Sequence, residues 1–242
     1  NVYSLRLYGW IQKKEVIAKR MGRLIAIGDI HGRLSKLEDL IEQIGPNEDD
    51  RLVFLGDYID SGAQSYEVVE HVIRLKKEFP NTITLRGNHE DFVISLFMGN
   101  LNPRDREIWL TMNGGRVTLA SYRKKGYHLN VHQEFYMSLE HSFETEEFFF
   151  CHAGIRPGVP LKDQRKIDLL EIDEPFLSSG RDFGKIVVHG HTITDGVVIK
   201  PNRIGLDTGA AHHGPLSAIE LLSLKIWESR GKKIETRALS IS

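Results

Sequence analysis

Short apolar runs alternate with longer amphipathic stretches along the first third of the chain. Leu24-Ile25-Ala26-Ile27 is strand-like, and apolar residues then recur at Leu34, Leu37, Leu40, Ile41 and Ile44 with helical spacing. Gly45-Pro46-Asn47 closes that helix with turn chemistry. Leu52-Val53-Phe54-Leu55 is the second strand-like run, and the stretch 66–79 repeats the helical spacing through Val68, Val69, Val72, Ile73 and Leu75. Pro80-Asn81 breaks it before Thr82-Ile83-Thr84-Leu85, a third run rich in β-branched residues. Strand, helix, strand, helix, strand at this spacing predicts right-handed crossovers and a mostly parallel sheet. Residues 91–140 read as helical, a lobe or cap over that sheet. Short β-like runs at 148–151, 186–188, 197–199, 203–206 and 218–222 predict a second, more antiparallel sheet. Residues 21–242 are therefore expected to form one α/β domain of two packed sheets flanked by helices.

Composition narrows the class. Of 242 residues, 40% are hydrophobic and 27% charged, the balance of a globular chain with a full core. Lysine and arginine total 32 against 33 acids, a formal net charge of -1. Such a chain has no global field for a nucleic-acid duplex and no basic surplus for an anionic membrane. No apolar run approaches the roughly 20 residues of a membrane-spanning helix. A single cysteine, Cys151, excludes a disulfide within the chain, and a cytoplasmic location is expected. Cys151 sits in an apolar run and reads as an inert core thiol. Eleven histidines beside one cysteine favour nitrogen and oxygen ligation of metals over thiolate sites. Residues 1–23 stand apart, with six basic residues against one acid, Glu15. Residues 1–20 read as an extension ahead of Met21, with a basic targeting or docking arm as the alternative.

The chemistry sits at the ends of the apolar runs. After Ile27 comes Gly28-Asp29-Ile30-His31-Gly32, and after Leu55 comes Gly56-Asp57-Tyr58-Ile59-Asp60-Ser61-Gly62. Leu85 leads to Arg86-Gly87-Asn88-His89-Glu90, Cys151 to His152-Ala153-Gly154, Val188 to His189-Gly190-His191, and Leu206 to Asp207-Thr208-Gly209. Each delivers a carboxylate, amide or imidazole beside a glycine. In α/β sheets, ligands bind outside the carboxyl ends of the strands. One such cluster alone is most often a turn; its repetition after strand upon strand points to a shared site. Asp, His and Asn offer oxygen and neutral nitrogen to divalent metals. A carboxylate shared by two ions can hold them about 3.5–4 Å apart. A histidine outside the metal shell can protonate a leaving oxygen.

In order, the blocks GDIHG, GDYIDSG, GNHE, HAG and HGH resemble the metal-site motifs of calcineurin-like metallophosphoesterases. They are closest to the phosphoprotein phosphatase branch, which includes bacterial serine/threonine phosphatases and symmetrical diadenosine tetraphosphatases. The resemblance spans Leu24 to Leu222 and implies a four-layer α/β/β/α sandwich of two mixed sheets. It implies two divalent metal ions, typically manganese, with iron or zinc as other options. By motif position, the resemblance implies that Asp29 and His31 would bind the first ion, Asp57 would bridge both ions, and Asn88, His152 and His191 would complete the ligands of the second ion. His89 would be the general acid, oriented by Asp60, and a metal-bridging hydroxide the nucleophile. His189 and Asp207 are expected to support the ligands from behind, or merely to stabilise their own strand and turn. His212 and His213 read as a solvated loop near the site.

The sequence departs from that family at two places. Ser61 occupies the position of a phosphate-gripping arginine, and Glu171-Ile172-Asp173 aligns with a Trp-x-Arg pattern that carries a second. Serine cannot replace the planar, charged fork of arginine. Arg156 and Arg116 are the expected substitutes. The implied activity is hydrolysis of phosphate monoesters, phosphoserine and phosphothreonine included. Symmetrical cleavage of dinucleoside tetraphosphates is the alternative, and a metal-binding sensor with little turnover is a third reading. The expected partner is a phosphorylated substrate: a phosphoprotein, a small phosphoester or a dinucleotide.

Overall fold

Alternate residues of each central strand enter different hydrophobic layers, and this alternation builds the architecture. In the computed structural model, which describes residues 22–231, β1 (Leu24–Ile27) and β2 (Arg51–Phe54) lie parallel. Ile25, Ile27, Leu52 and Phe54 pack outward against α1 (Leu34–Ile44) and α2 (Ser65–Glu78), where Leu37, Leu40, Val68 and Val72 are buried. Ala26, Val53 and Leu55 face the other way, into a layer shared with Phe148, Phe150 and Val188. Those residues belong to β5 (Phe148–Cys151) and β6 (Ile186–His189), whose outer face buries Phe149, Cys151 and Val187 against Leu169 and Phe176. Strands covered on both faces need no polar side, so they read as unbroken apolar runs. The result is helices, sheet, sheet and a short helical layer.

The first sheet has the order β10-β9-β1-β2-β3, with β3 at Ile83–Thr84, β9 at Leu216–Glu220 and β10 at Lys225–Ser229. The second has the order β4-β5-β6-β8-β7, with β4 at Ser142–Glu144, β7 at Val198–Ile199 and β8 at Arg203–Gly205. Two expectations are corrected here. The run at 218–222 belongs to the first sheet, where β9 pairs antiparallel with β1 and is covered by β10. The second sheet is parallel at its centre, β5-β6-β8, and antiparallel only at its edges. Ala218 and Leu216 fill the helix-facing layer while Ile219 and Leu221 fill the inter-sheet layer. Inside the first sheet β9 is covered on both faces.

Between the sheets in sequence runs a series of helices: α3 (Asn88–Phe97), α4 (Pro103–Thr111), α5 (Gly115–Lys124) and α6 (Gln133–Met137). Asn102 caps α4 by accepting the Asp105 N–H at 2.9 Å, with Pro103 in the first turn. A last short helix, α7 (Lys166–Glu171), covers the second sheet. Among the described residues, no helix is long and apolar enough to cross a membrane. The basic extension at 1–20 lies outside the described residues.

Candidate dinuclear metal centre

The parallel strands of both sheets end at one place. His152, just beyond β5, is hydrogen-bonded through Nδ1 to the Leu55 carbonyl, which follows β2, at 2.9 Å. The His191 N–H, beyond β6, donates to Asp29 Oδ2, beyond β1, at 3.0 Å. Gly190 makes that approach possible, because a Cβ there would lie 2.0 Å from Asp29 Oδ1. Strand ends from two sheets are thus stitched into a single buried cluster.

Ligand atoms of Asp29, Asp57 and His152 lie within 4.8 Å of one another, and so do those of His31, Asp57 and His89. Asp57 belongs to both groups. Its Oδ2 lies 3.3 Å from His31 Nε2 and 3.8 Å from His89 Nε2, while its Oδ1 lies 3.5 Å from His152 Nε2. Asn88 Oδ1 sits 2.9 Å from His152 Nε2, and the His191 ring packs edge-on against His152 at 5.1 Å. All six residues assigned by motif position are therefore together. Through Asp57 the two compact groups join Asp29 to His152 and His31 to His89.

The residues fit a pair of divalent ions. Asp29 Oδ1 is buried with no hydrogen-bond partner. Burial, then the charges of Asp207 and Asp57, raise the Asp29 carboxyl well above the ordinary carboxylate range. A dication would satisfy the orphaned oxygen and relieve the repulsion among the three carboxylates. Burial also raises Asp57, but His152, His89, His31 and His191 outweigh it and hold that carboxyl below the usual range. His152 is lowered to about 4 by burial, so its imidazole is neutral and ready to ligate. Manganese at about 100 times its dissociation constant is expected to stabilise the fold by about 2.7 kcal/mol, and EDTA to reverse this. Calorimetry reads both. A melting temperature unmoved by manganese, zinc or magnesium counts against a metal site here.

His89 has a second commitment. Its Nδ1 lies 2.6 Å from Asp60 Oδ2, leaving Nε2 toward Asp57. Burial lowers the His89 pKa, but Asp57 and then Asp60 outweigh it and raise it to about 9. A cationic imidazole held by a buried carboxylate is suited to protonating a leaving group.

Backbone strain concentrates at the same place. His31, Asp57, Asp60, Ser61 and His191 all adopt positive φ, at 49°, 52°, 70°, 59° and 63°. Such conformations cost of order 1–3 kcal/mol each and persist where the surroundings over-determine them. Part of that surrounding is Glu90, to which the sequence assigned no role. Its buried carboxylate accepts the N–H groups of Asp57, Tyr58, Ile59 and Gly87 at 2.9, 2.9, 3.3 and 3.1 Å. The available signal was its place at the third position of α3, where an acid reaches back to cap the helix.

The flanking residues separate. His189 lies on the outer side of its sheet, edge-on to Phe176 at 5.0 Å and accepting from Arg203 at 3.2 Å. Its Nδ1 is 3.1 Å from the Gly190 carbonyl, so it braces the loop that carries His191. Asp207 accepts the Gly209 N–H at 2.9 Å, stabilising its own turn, while its charge faces Asp29. Arg156 is paired with Asp168 at 2.5 and 3.2 Å, which commits its guanidinium away from a substrate. Arg116 is exposed, two residues beyond Gly114, whose backbone abuts Ser61. Asp173, at the position of the second expected arginine, accepts from Thr192 Oγ1 at 2.5 Å beside His191. His212 and His213 are exposed on the loop after Asp207.

The chain is similar to known proteins in sequence and in fold. Residues 22–223 match the calcineurin-like phosphoesterase family. The asymmetrical bis(5'-nucleosyl)-tetraphosphatase PrpE of Bacillus thuringiensis (strain Al Hakam) is 26% identical over 80% of this chain and 88% of its own. The PP2A-like serine/threonine-protein phosphatase PPG1 of Saccharomyces cerevisiae is 32% identical over 58% of this chain, but only 35% of that protein is covered. A solved structure described as a candidate diadenosine tetraphosphatase superposes with a TM-score of 0.65 at 23% identity, over 88% of this chain and 96% of that one. A protein serine/threonine phosphatase from Saccharomyces cerevisiae gives 0.56 at 16% identity, over 94% and 90%. Both likenesses are of fold. With the match running over nearly all described residues, the chain belongs to the calcineurin-like phosphoesterases, hydrolases of phosphoester bonds that depend on a pair of divalent metal ions.

Proposed function

We propose that this protein hydrolyses phosphate monoesters, in the manner of a serine/threonine phosphatase, with manganese as the working ion in a cytoplasmic setting. The observation that carries the reading is the His89–Asp60 pair set against Asp57, the carboxylate common to both candidate metal groups. Two divalent ions, when bound, supply neutralising charge at the phosphoryl group and an acidified water. Asp29, His31, Asp57, Asn88, His152 and His191 are the residues proposed to hold them. His89 holds a proton on Nε2 and delivers it to the leaving oxygen as the P–O bond breaks. Asp60 accepts from Nδ1, which fixes the ring and stabilises its charge. Arg116 is proposed to take over part of the phosphate contact absent at Ser61.

A second reading has its own support. PrpE is matched over 88% of its length, and a PrpE-like substrate would be a dinucleoside tetraphosphate. The name of that relative points to unequal cleavage, whereas the motifs suggested equal cleavage. A panel with manganese separates the readings: a phosphopeptide, an aryl phosphate, an aryl diester and diadenosine tetraphosphate. Release of phosphate from the first two, abolished by EDTA, is expected. AMP and ATP from the dinucleotide, with phosphopeptide untouched, would replace the monoesterase reading by the second; two ADP would indicate symmetrical cleavage. No turnover of any panel member would remove both.

A further inference from the structure

Asp60 is fully buried, and the helical segment supplies two of the three hydrogen bonds to its carboxylate. Trp109 of α4 donates Nε1–H to Asp60 Oδ2 at 3.0 Å. Thr118 of α5 donates its hydroxyl to Asp60 Oδ1 at 2.6 Å, and its oxygen accepts the Asp60 N–H at 2.9 Å. Ser65 Oγ, 3.0 Å from Thr118 Oγ1, joins the same network from α2. The remaining partner of the carboxylate is His89 Nδ1, at 2.6 Å. Trp109 and Thr118 are themselves 1% and 0% exposed, so neither donor has water as an alternative.

The connection between α4 and α5 is shaped to make this contact. It turns at Asn113-Gly114-Gly115, with Gly114 at φ 88°. A Cβ on Gly114 would lie 2.5 Å from Ser61 N and 3.1 Å from Asp60 Cβ. The backbone of one helix pair is thus pressed directly onto the strained loop that carries the dyad carboxylate. Donors on both carboxylate oxygens fix its plane, where a single donor would leave it free to rotate about its Cβ–Cγ bond.

We propose that Trp109 and Thr118 are positioning residues that lock the Asp60 carboxylate behind His89, so that the helical segment sets the direction from which the His89 Nε2 proton is delivered. This rests on the reading of His89 as the proton donor. A segment that only covered the sheet would need apolar contact with it, not two hydrogen bonds to one buried acid.

The test combines a spectroscopic and a kinetic readout on the full chain loaded with diamagnetic zinc. A strong Nδ1–H···O bond gives a low-field imidazole proton, assigned by its loss in His89→Asn. Trp109→Phe keeps the ring and removes the donor; Thr118→Val removes the hydroxyl. Each is expected to shift that proton upfield, and Thr118→Ser to restore it. In parallel, turnover of an alkyl phosphate should fall about 10- to 100-fold, by analogy with the loss of hydrogen-bond partners that orient metal ligands. An activated aryl phosphate, whose leaving group needs little protonation, should lose less than about threefold. A low-field proton unmoved in both variants overturns the proposal, as do equal losses on the two substrates. Alkyl phosphate hydrolysis undiminished in His89→Asn would instead overturn the reading of His89, and the delivery role of the helical segment with it.

Discussion

Replacing Asp57 by asparagine is expected to lower kcat on an aryl phosphate by about 10³-fold or more, with the fold intact. The residue is common to both groups of candidate ligands, so its charge is the one feature each ion would share. Metal ions contribute several kcal/mol of transition-state charge stabilisation, and each 1.36 kcal/mol is tenfold in rate. Asparagine keeps the size and one oxygen but removes the negative charge that four histidines face, His152, His89, His31 and His191. Bound metal per chain, measured by atomic emission after desalting, should fall with activity. Normal turnover by metal-loaded Asp57→Asn would remove the assignment of this cluster as the reactive centre.

The second large effect is expected from His89→Asn. Proton transfer by a positioned side chain contributes about 10²- to 10⁴-fold. The loss should be near the upper end for alkyl phosphates, whose leaving oxygen is a poor anion, and small for activated aryl esters. His89 Nε2 stands 3.8 Å from Asp57 Oδ2, and its ring meets His31 edge-on at 4.8 Å. The same ring could instead ligate an ion beside His31. Metal content distinguishes the roles: a ligand lost lowers occupancy, whereas an acid lost leaves it unchanged. Equal rate losses across leaving groups together with lost metal would assign His89 to ligation.

Much of this was legible in the order of the residues. The runs at Leu24-Ile25-Ala26-Ile27 and Leu52-Val53-Phe54-Leu55 are strands in one sheet, and each is followed within two residues by an acid of the buried cluster. The helices α1 and α2 follow the apolar spacing after the first and the second run. Sheet membership is not legible in the same way. The run at 218–222 looks like its neighbours in sequence, and nothing local says that β9 crosses back to pair with β1. Strand pairing between distant segments leaves no periodic trace, since either sheet offers an apolar face of the same period.

By itself the sequence determined which side chains reach the strand ends and that they are of metal-binding type. Strand direction and the glycine turns are local properties, set by a few residues in succession. Tertiary structure alone decided what holds those side chains in place. The Glu90 carboxylate gathers backbone N–H groups 31 to 33 residues away, and Trp109 and Thr118 reach Asp60 across 49 and 58. It also decided that Arg156 is spent on Asp168 while Arg116 stays exposed, two residues beyond the Gly114 backbone that abuts Ser61. A hydrogen bond depends on distances of a few tenths of an ångström between atoms that only folding brings together. Residue type announces a donor or an acceptor; only the packed layers say which one it meets.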